Sequence, residues 1–400
     1  MRPAAQAQHA RNASDRRLHY VDNLRILAIM LVFVAHVCEV FNPWDEWHIT
    51  NATRSRVAGE VTALVAPWLM PLVMLLSGVG AWYSLRTRSN GAYLRERTVR
   101  LLLPLTAGTI VLVSPQVYLE RVLRGQFHGS YWAFLPHFFN GVYPRGNLSW
   151  HHLWFLAHLL AYAFVTLPLF RALQRPRGRR ALQRAARLCT RPGGMLLLAF
   201  PLILERNLLW GILPERHMLN SDWSNHALLL VAYIYGFVLA GSPWLGRAID
   251  LQWRGALITG MVGTAALMVG LWTDIIPDRI PPQYHATYLA FWMLYAICAW
   301  AWMVAMLGIG RRWLARETAL TRYGRDAALG MYLVHQPIIV AVAFVTVPLA
   351  IGLGAKFALV FVLSAAITLI LLEMFRHDGI LRRSLRHPRR RVPRMTWARQ

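Results

Sequence analysis

The segment from Asp22 to Glu39 constrains what this chain can fold into more than any other stretch. From Leu24 to Phe41 it is almost wholly apolar, which suffices for most of a membrane crossing at about 1.5 Å per residue. Three charged side chains and one histidine interrupt the apolar pattern, namely Asp22, Arg25, Glu39 and His36. At about 100° per residue these four share one stripe about 100° wide. The segment therefore predicts a transmembrane helix with a single polar face.

This polar stripe has two interpretations. An ionisable side chain at membrane depth is costly unless it is paired or hydrated, so a whole stripe of them predicts a functional site. The alternative is a stripe that packs against other helices, in which His36 only hydrogen-bonds a neighbour. The presence of Arg25 and Glu39 on the same face favours the functional site.

The composition and the distribution of charge place the chain in a membrane. Of its 400 residues, 56% are hydrophobic, and the mean hydropathy is +0.36. A net charge of +25 would suit nucleic acid, but the arginines cluster in short segments between apolar runs, as the positive-inside rule requires. Membrane lipids are therefore the expected partners and nucleic acid is not. Residues 1–20 are hydrophilic, which predicts a retained first span and no cleavable signal peptide.

Hydropathy predicts an all-α, polytopic membrane protein with ten transmembrane helices. The predicted spans lie near residues 24–41, 61–85, 99–119, 152–173, 193–213, 225–245, 254–273, 286–310, 327–349 and 355–375. Alternation from a cytoplasmic N-terminus puts most of the 43 basic residues inside, so both termini are predicted to be cytoplasmic. Residues 1–375 then form one transmembrane domain, and residues 376–400 form a basic cytoplasmic tail on the lipid surface. Residues 171–192 are expected to form a basic helix near anionic headgroups.

Arginines at the cytoplasmic end of the third span are candidate phosphate ligands. Arg97 and Arg100 stand one turn apart and face the same way. Guanidinium groups match phosphate oxygens, although ordinary positive-inside charge explains the presence of these arginines equally well. On the opposite side, residues 120–151 are rich in aromatic side chains. These side chains form either an interfacial belt or a platform for a sugar acceptor.

Two further positions inside predicted spans have both a structural and a functional interpretation. The pair Ser77-Gly78 in the second span is best explained as a small-residue contact that permits close helix packing. His335 in the ninth span is either a buried histidine with satisfied hydrogen bonds or an active one. Pro337, two residues later, frees a backbone carbonyl one turn earlier, as happens where a helix lines a cavity.

Six short motifs, in this order, resemble the membrane-bound acyltransferase family 3, and together they cover nearly the whole chain. They are Tyr20-Val21-Asp22-Asn23-Leu24-Arg25, the pair Arg25 and His36 separated by ten residues, Met70-Pro71 with Ser77-Gly78, Arg97-x-x-Arg100-Leu101 with Pro104, His152-Leu153-Trp154-Phe155-Leu156, and Tyr332-Leu333-Val334-His335-Gln336-Pro337. The compact length and the last motif are most similar to the glucan-modifying branch of this family.

The resemblance implies an O-acyltransferase that uses cytoplasmic acyl-CoA and an acceptor hydroxyl, often on a sugar. Arg25, Arg97 and Arg100 would hold the phosphates of CoA. From Arg25 to His36 is about 16–17 Å along the helix axis, which is of the order of the phosphopantetheine arm. His36 would then act as the general base on the acceptor hydroxyl.

The remaining candidate residues have supporting roles in this hypothesis. Glu39, one turn beyond His36, would orient the imidazole and stabilise its protonated form. Asp22 would pair with Arg25 and fix its guanidinium group. Three other positions would support or line the cavity, namely Ser77, Trp154 and His335.

A transporter or flippase for a lipid-linked glycan or a small anion is the alternative function, with the polar stripe lining its path. Such a protein would need inverted repeats, and the sequence shows no clear internal symmetry. No metal site is predicted, because His151 and His152 are adjacent and point about 100° apart. An integral protein of the bacterial inner membrane is the expected location.

Overall fold

The computed structural model describes residues 2–209, 223–273 and 285–377, and these residues contain helices and no β-strand. The helices are α1 (Arg2–Glu39), α2 (Arg56–Val65), α3 (Leu69–Thr87), α4 (Asn90–Gly108), α5 (Ser114–Leu123), α6 (Tyr131–Phe134), α7 (Trp154–Val165), α8 (Leu167–Gln174), α9 (Pro176–Leu188), α10 (Phe200–Leu209), α11 (Trp223–Gly241), α12 (Pro243–Trp272), α13 (Ala286–Trp313), α14 (Ala319–Thr346) and α15 (Leu353–His377). A π-helical turn (Thr109–Val113) joins α4 to α5, and 3-10 turns occupy Leu135–Phe139, His151–Leu153 and Gly194–Ala199. The predicted all-α membrane fold is confirmed.

Seven helical segments among the described residues are long and apolar enough to cross a membrane. An eighth results if α7 and α8, which are bent by 52° relative to each other, count as one span. The predicted spans near 193–213 and 254–273 have no counterpart in this set. The first is divided between a 3-10 turn and the short helix α10, and its end lies outside the described residues. The count of ten and the cytoplasmic termini stay predictions, and most of the basic tail also lies outside the described residues.

The polar face of α1 is held in place by two apolar clusters. The larger packs α1 with α3, α11 and α13, around the fully buried rings of Tyr233 and Trp300. The smaller packs the C-terminal half of α1 against α14 and α15, through Phe33, Val37 and Ile339. Phe33 and Val37 flank His36 in sequence, so α1 carries this imidazole on a segment packed directly against α14.

Asn23 fixes the start of this contact between α1 and α14. Its amide Nδ2 donates to the backbone carbonyls of Leu314, at 2.7 Å, and Arg316, at 3.1 Å. The hydroxyl of Thr321 donates to Asn23 Oδ1 at 2.6 Å, and Thr321 also forms a capping box with Thr318 at the start of α14. One side chain therefore sets the position of α1 relative to the first turn of α14.

Helices α3 and α11 approach each other through glycines. A Cβ atom on Gly78 would lie 1.9 Å from the carbonyl oxygen of Tyr233, and one on Gly236 would lie 1.7 Å from that of Leu75. The packing role predicted for the Ser77-Gly78 pair is confirmed at Gly78. Ser77 itself donates to the Val73 carbonyl of its own helix at 2.9 Å.

We expect Gly78→Ala to destabilise the protein by about 1–3 kcal/mol, because the added methyl group must push two helix backbones apart. Thermal unfolding of the detergent-purified protein measures the effect. The matched control is Gly91→Ala in α4, where a Cβ atom meets no atom within 4 Å. Equal melting temperatures for the two variants would contradict this explanation of the helix contact.

Candidate active site

His36 and His335 are hydrogen-bonded to each other across α1 and α14. The distance from His36 Nδ1 to His335 Nε2 is 2.9 Å. His335 Nδ1 lies 3.0 Å from the carbonyl oxygen of Met331 and 2.8 Å from that of Tyr332. Because carbonyl oxygens only accept, Nδ1 of His335 carries the proton and its Nε2 is an acceptor. His36 Nδ1 therefore donates to His335, and His36 Nε2 keeps its lone pair.

This tautomer gives His36 the property that a general base needs, a ring nitrogen with a free lone pair. The ring of His36 also stacks on Trp47, with 5.9 Å between the ring centroids and 22° between the planes. His335 is fully buried, and both of its nitrogens have hydrogen-bond partners. Of the two interpretations of His335, the structure therefore supports the buried, satisfied one, and it adds that this ring sets the tautomer of His36.

The structure does not bring Glu39, which the sequence analysis expected to orient His36, into a hydrogen bond with that imidazole. Glu39 Oε2 accepts from the amide Nδ2 of Asn42 at 2.8 Å, and the nitrogen of His36 that it would have held bonds to His335 instead. Glu39 is the last residue of α1. Its carboxylate therefore lies at the C-terminal end of α1. The amide donor that it meets there is Asn42, which follows the helix, and the imidazole of His36 on the helix itself is not its partner.

Arg25 lies at the opposite end of the same polar face. Its Nη2 donates to the carbonyl of Leu76 at 2.7 Å, and its Nη1 lies 3.5 Å from Asp22 Oδ1, so the predicted contact with Asp22 is present. Asp22 also lies 3.8 Å from Nη1 of Arg325. Arg97 and Arg100 lie within electrostatic range of Arg25. The structure therefore brings together the three arginines that the sequence analysis selected.

Among the described residues, these three guanidinium groups are paired with two carboxylates, those of Asp22 and Glu96. Arg100 Nη1 lies 3.4 Å from Glu96 Oε1, and Glu96 is shared with Arg88 at 2.8 Å. The guanidinium of Arg97 lies 5.3 Å above the ring of Tyr93, which is fully buried. The cluster therefore keeps an excess of positive charge, and such a cluster suits an anionic ligand with several oxygens, such as a phosphate.

His152 joins the site through Pro337. Proline has no N–H to donate to the carbonyl of Leu333, one turn earlier. His152 Nε2 donates to that oxygen at 3.0 Å instead, and the hydroxyl of Tyr332 donates to the carbonyl of His152. The prediction that Pro337 frees a carbonyl is confirmed. The ring of His152 lies 5.6 Å from that of His335, and the sequence analysis missed this contact although Pro337 was its signal.

Trp154 and a second polar cluster complete the region. Trp154 begins α7 and packs against His158, with 5.1 Å between the ring centroids. The second cluster contains His48, whose Nδ1 lies 2.9 Å from Glu120 Oε2. Gln336 Nε2 lies 3.1 Å from His48 Nε2, and Gln336 directly follows His335 in α14. The sequence analysis missed His48, Glu120 and Gln336 as site residues.

Comparisons with known proteins identify a family whose model matches nearly the whole chain. A family profile described as an acyltransferase domain matches residues 18–373. Curated relatives include "Glucans biosynthesis protein C" of Salmonella paratyphi B (strain ATCC BAA-1250 / SPB7), which is 22% identical over 366 residues, covering 88% of this chain and 91% of the relative. The protein of the same name from Salmonella heidelberg (strain SL476) is 22% identical over 367 residues, with the same coverage. No solved structure matches the chain.

Proposed function

This chain belongs to the acyltransferase 3 family, a family of O-acyltransferases, and we propose that it transfers an acyl group from acyl-CoA to a hydroxyl of a glycan or another envelope or secreted acceptor. The hydrogen bond between His36 and His335 is the observation that carries the proposal, because it leaves a basic nitrogen on the helix face that also presents Arg25. Relatives named for glucan biosynthesis favour a glucan as the acceptor and an acyl group such as acetyl or succinyl as the donor group.

The proposed donor site follows from the positions of the arginines. The phosphates of CoA would bind Arg25, Arg97 and Arg100, and the phosphopantetheine arm would extend along the polar face of α1. Arg25 and His36 are separated by about 16–17 Å along that helix. The thioester carbonyl would then lie beside the ring of His36, which makes the geometry suitable for direct transfer.

The proposed reaction is an attack by the acceptor oxygen on the thioester carbonyl. His36 Nε2 takes the proton of the acceptor hydroxyl as the oxygen–carbon bond forms. The carbon–sulfur bond then breaks, and the CoA thiolate takes the proton back from the imidazolium. His335 accepts from Nδ1 of His36 throughout, so the basic nitrogen of His36 stays the one that faces the substrates.

Mass spectrometry of envelope glycans and lipids tests the proposal. Bacterial cells that carry the gene are compared with cells from which it has been deleted. We expect one acyl mass to disappear from a glycan or other envelope molecule of the deletion strain and to return on complementation. Identical acylation in both strains, together with glycan flux into proteoliposomes without acyl-CoA, would favour the transporter. The proposed location is the bacterial inner membrane, where cytoplasmic acyl-CoA is accessible.

We expect His335→Leu to lower kcat about fivefold, because a lost hydrogen bond of about 1 kcal/mol releases the tautomer of His36. The KM for acyl-CoA should stay unchanged, since His335 holds a ring nitrogen and no phosphate. Steady-state kinetics in detergent measures both quantities. His335→Gln offers an amide oxygen that can accept from His36 Nδ1, so it should recover part of the lost activity. Equal losses in the two variants would show that only the volume of the ring matters.

A further inference from the structure

A cluster beyond the proposed base has the features of a metal site. We propose that His48, Glu120 and His151 bind a divalent transition metal ion, for which Zn²⁺ is the best match. One donor atom of each residue lies within 4.8 Å of the donor atoms of the other two. Two imidazoles and one carboxylate, with a fourth position left for water or a hydroxyl oxygen, form a familiar zinc donor set. The site goes beyond acyl transfer, and its test does not depend on that activity.

The three ligands come from separate parts of the chain. His48 lies in the loop after α1, Glu120 lies in α5, and His151 begins the 3-10 turn before α7. The sequence analysis predicted no metal site because His151 and His152 diverge. The structure shows that His152 is not needed, since His48 is the histidine that approaches His151, with 4.1 Å between the ring centroids.

The neighbours of Glu120 hold one of its carboxylate oxygens and leave the other directed at His48. It is completely buried, and its Oε1 accepts from the hydroxyl of Tyr143 at 3.1 Å and lies 3.2 Å from Nη1 of Arg124. The hydroxyl of Tyr143 is the donor in this hydrogen bond, because a carboxylate oxygen only accepts. Oε2 of Glu120 is left facing Nδ1 of His48 at 2.9 Å.

The outer atoms of both histidines are also held by neighbours. The side-chain amide nitrogen of Gln336 lies 3.1 Å from His48 Nε2 and also donates to Oε1 of Gln116 at 3.1 Å. The hydroxyl of Ser149 lies 3.3 Å from His151 Nδ1, while His151 Nε2 is buried and has no hydrogen-bond partner within the described part of the chain. Partners on the outer atoms that orient the ligands are characteristic of metal sites. A metal ion bound at this site would be coordinated by Nε2 of His151, the nitrogen without a hydrogen-bond partner among the described residues.

Distances and backbone conformation fit this site. Two tetrahedral zinc ligands at about 2.0–2.1 Å from the ion lie about 3.3 Å apart, so an ion fits between His48 Nδ1 and Glu120 Oε2 after small shifts from 2.9 Å. His151 has a φ of 38°, a left-handed conformation that costs about 1–3 kcal/mol in a residue other than glycine. The strained backbone conformation of His151 therefore places its imidazole beside His48 and Glu120.

Two nearby arginines oppose a cation and limit its affinity. Arg124 is paired with Glu120, and Arg121 donates to the side chains of Asn147 and Gln126 and to two backbone carbonyls. Both guanidinium groups are therefore directed at existing acceptors. Without a metal ion, His48 and Glu120 would simply form a hydrogen-bonded pair, which is the competing result in the test.

Direct metal binding to the full-length protein tests the proposal. The detergent-purified protein is stripped with a chelator, loaded with Zn²⁺, desalted and analysed for metal content. We expect one Zn²⁺ per chain, and we expect Co²⁺ to give the visible absorption of a tetrahedral site. His137→Ala, which removes an exposed imidazole from the same outer segment, should bind the same amount of metal. Glu120→Gln and His151→Ala should lose the ion.

Tyr143→Phe keeps all three ligands and removes only the hydroxyl that holds Glu120. It should still bind one Zn²⁺, with an affinity lower by about tenfold to a hundredfold. Wild-type protein that binds no Zn²⁺, or no more than His151→Ala binds, would overturn the proposal. The wild-type protein and His137→Ala test the proposal directly. A ligand variant that fails to fold therefore leaves the test valid.

Discussion

His36→Ala is expected to lower acyl transfer by about 10²–10⁴-fold, the usual contribution of a general base. The variant should still insert and accumulate in membranes, because the ring of His36 is only half-buried and α1 is packed by its apolar neighbours. Transfer of a radiolabelled acyl group in membrane preparations, normalised to the amount of protein, measures the effect. Full activity in this variant would end the assignment of His36 as the base.

His36→Asn separates the base from its hydrogen bond. The asparagine amide can still donate to His335 Nε2, but it offers no basic nitrogen. We therefore expect this variant to be as inactive as His36→Ala and to melt close to the wild-type temperature. If His36→Asn instead kept most of the activity, the hydrogen bond to His335 would be the important feature of His36 and proton transfer would not.

Arg97→Ala combined with Arg100→Ala is expected to raise the apparent KM for acyl-CoA by tenfold or more. Charge-assisted hydrogen bonds contribute about 1.5–3 kcal/mol each, so the loss of two guanidinium groups has a large effect on a phosphate ligand. The KM for the acceptor should change little, since Arg97 and Arg100 lie on α4 near Arg25, which is about 16–17 Å along α1 from His36. Initial rates with each substrate varied in turn give both constants.

The matched control is Arg86→Ala combined with Arg95→Ala. Both residues are exposed and flank the same turn between α3 and α4, so this variant removes the same charge from the same end of the helices. Its KM for acyl-CoA should match that of the wild type. If both double variants raised KM equally, Arg97 and Arg100 would be ordinary topological charge with no specific role.

Local sequence patterns predicted the parts of the site that lie within one helix. Arg25 and His36 share a face because helical periodicity fixes it, and the structure brings Arg97 and Arg100 near the same end. Pro337 predicted a freed carbonyl because the missing N–H is a property of proline itself. The close approach at Gly78 also followed from the absence of a side chain.

Contacts between residues on different helices could not be predicted from local sequence patterns. His335 holds His36 from 299 residues away, and no periodicity in the sequence relates two positions on different helices. Glu39 was assigned to His36 on spacing alone, and the end of α1 gave its carboxylate a nearer donor in Asn42. Gln116, whose Oε1 accepts from Gln336 at 3.1 Å, and Glu120 stand one turn apart at the end of an apolar run, and this spacing was a signal for the second cluster.

A cryo-EM structure of the protein with a non-hydrolysable acyl-CoA analogue tests the central claim most directly. The account predicts the analogue's carbonyl carbon beside His36 Nε2, at a distance that leaves an attacking oxygen about 3–3.5 Å from that carbon, with the phosphates on Arg25, Arg97 and Arg100. An analogue bound elsewhere, or packed side chains that separate the ring of His36 from the three arginines, would contradict it.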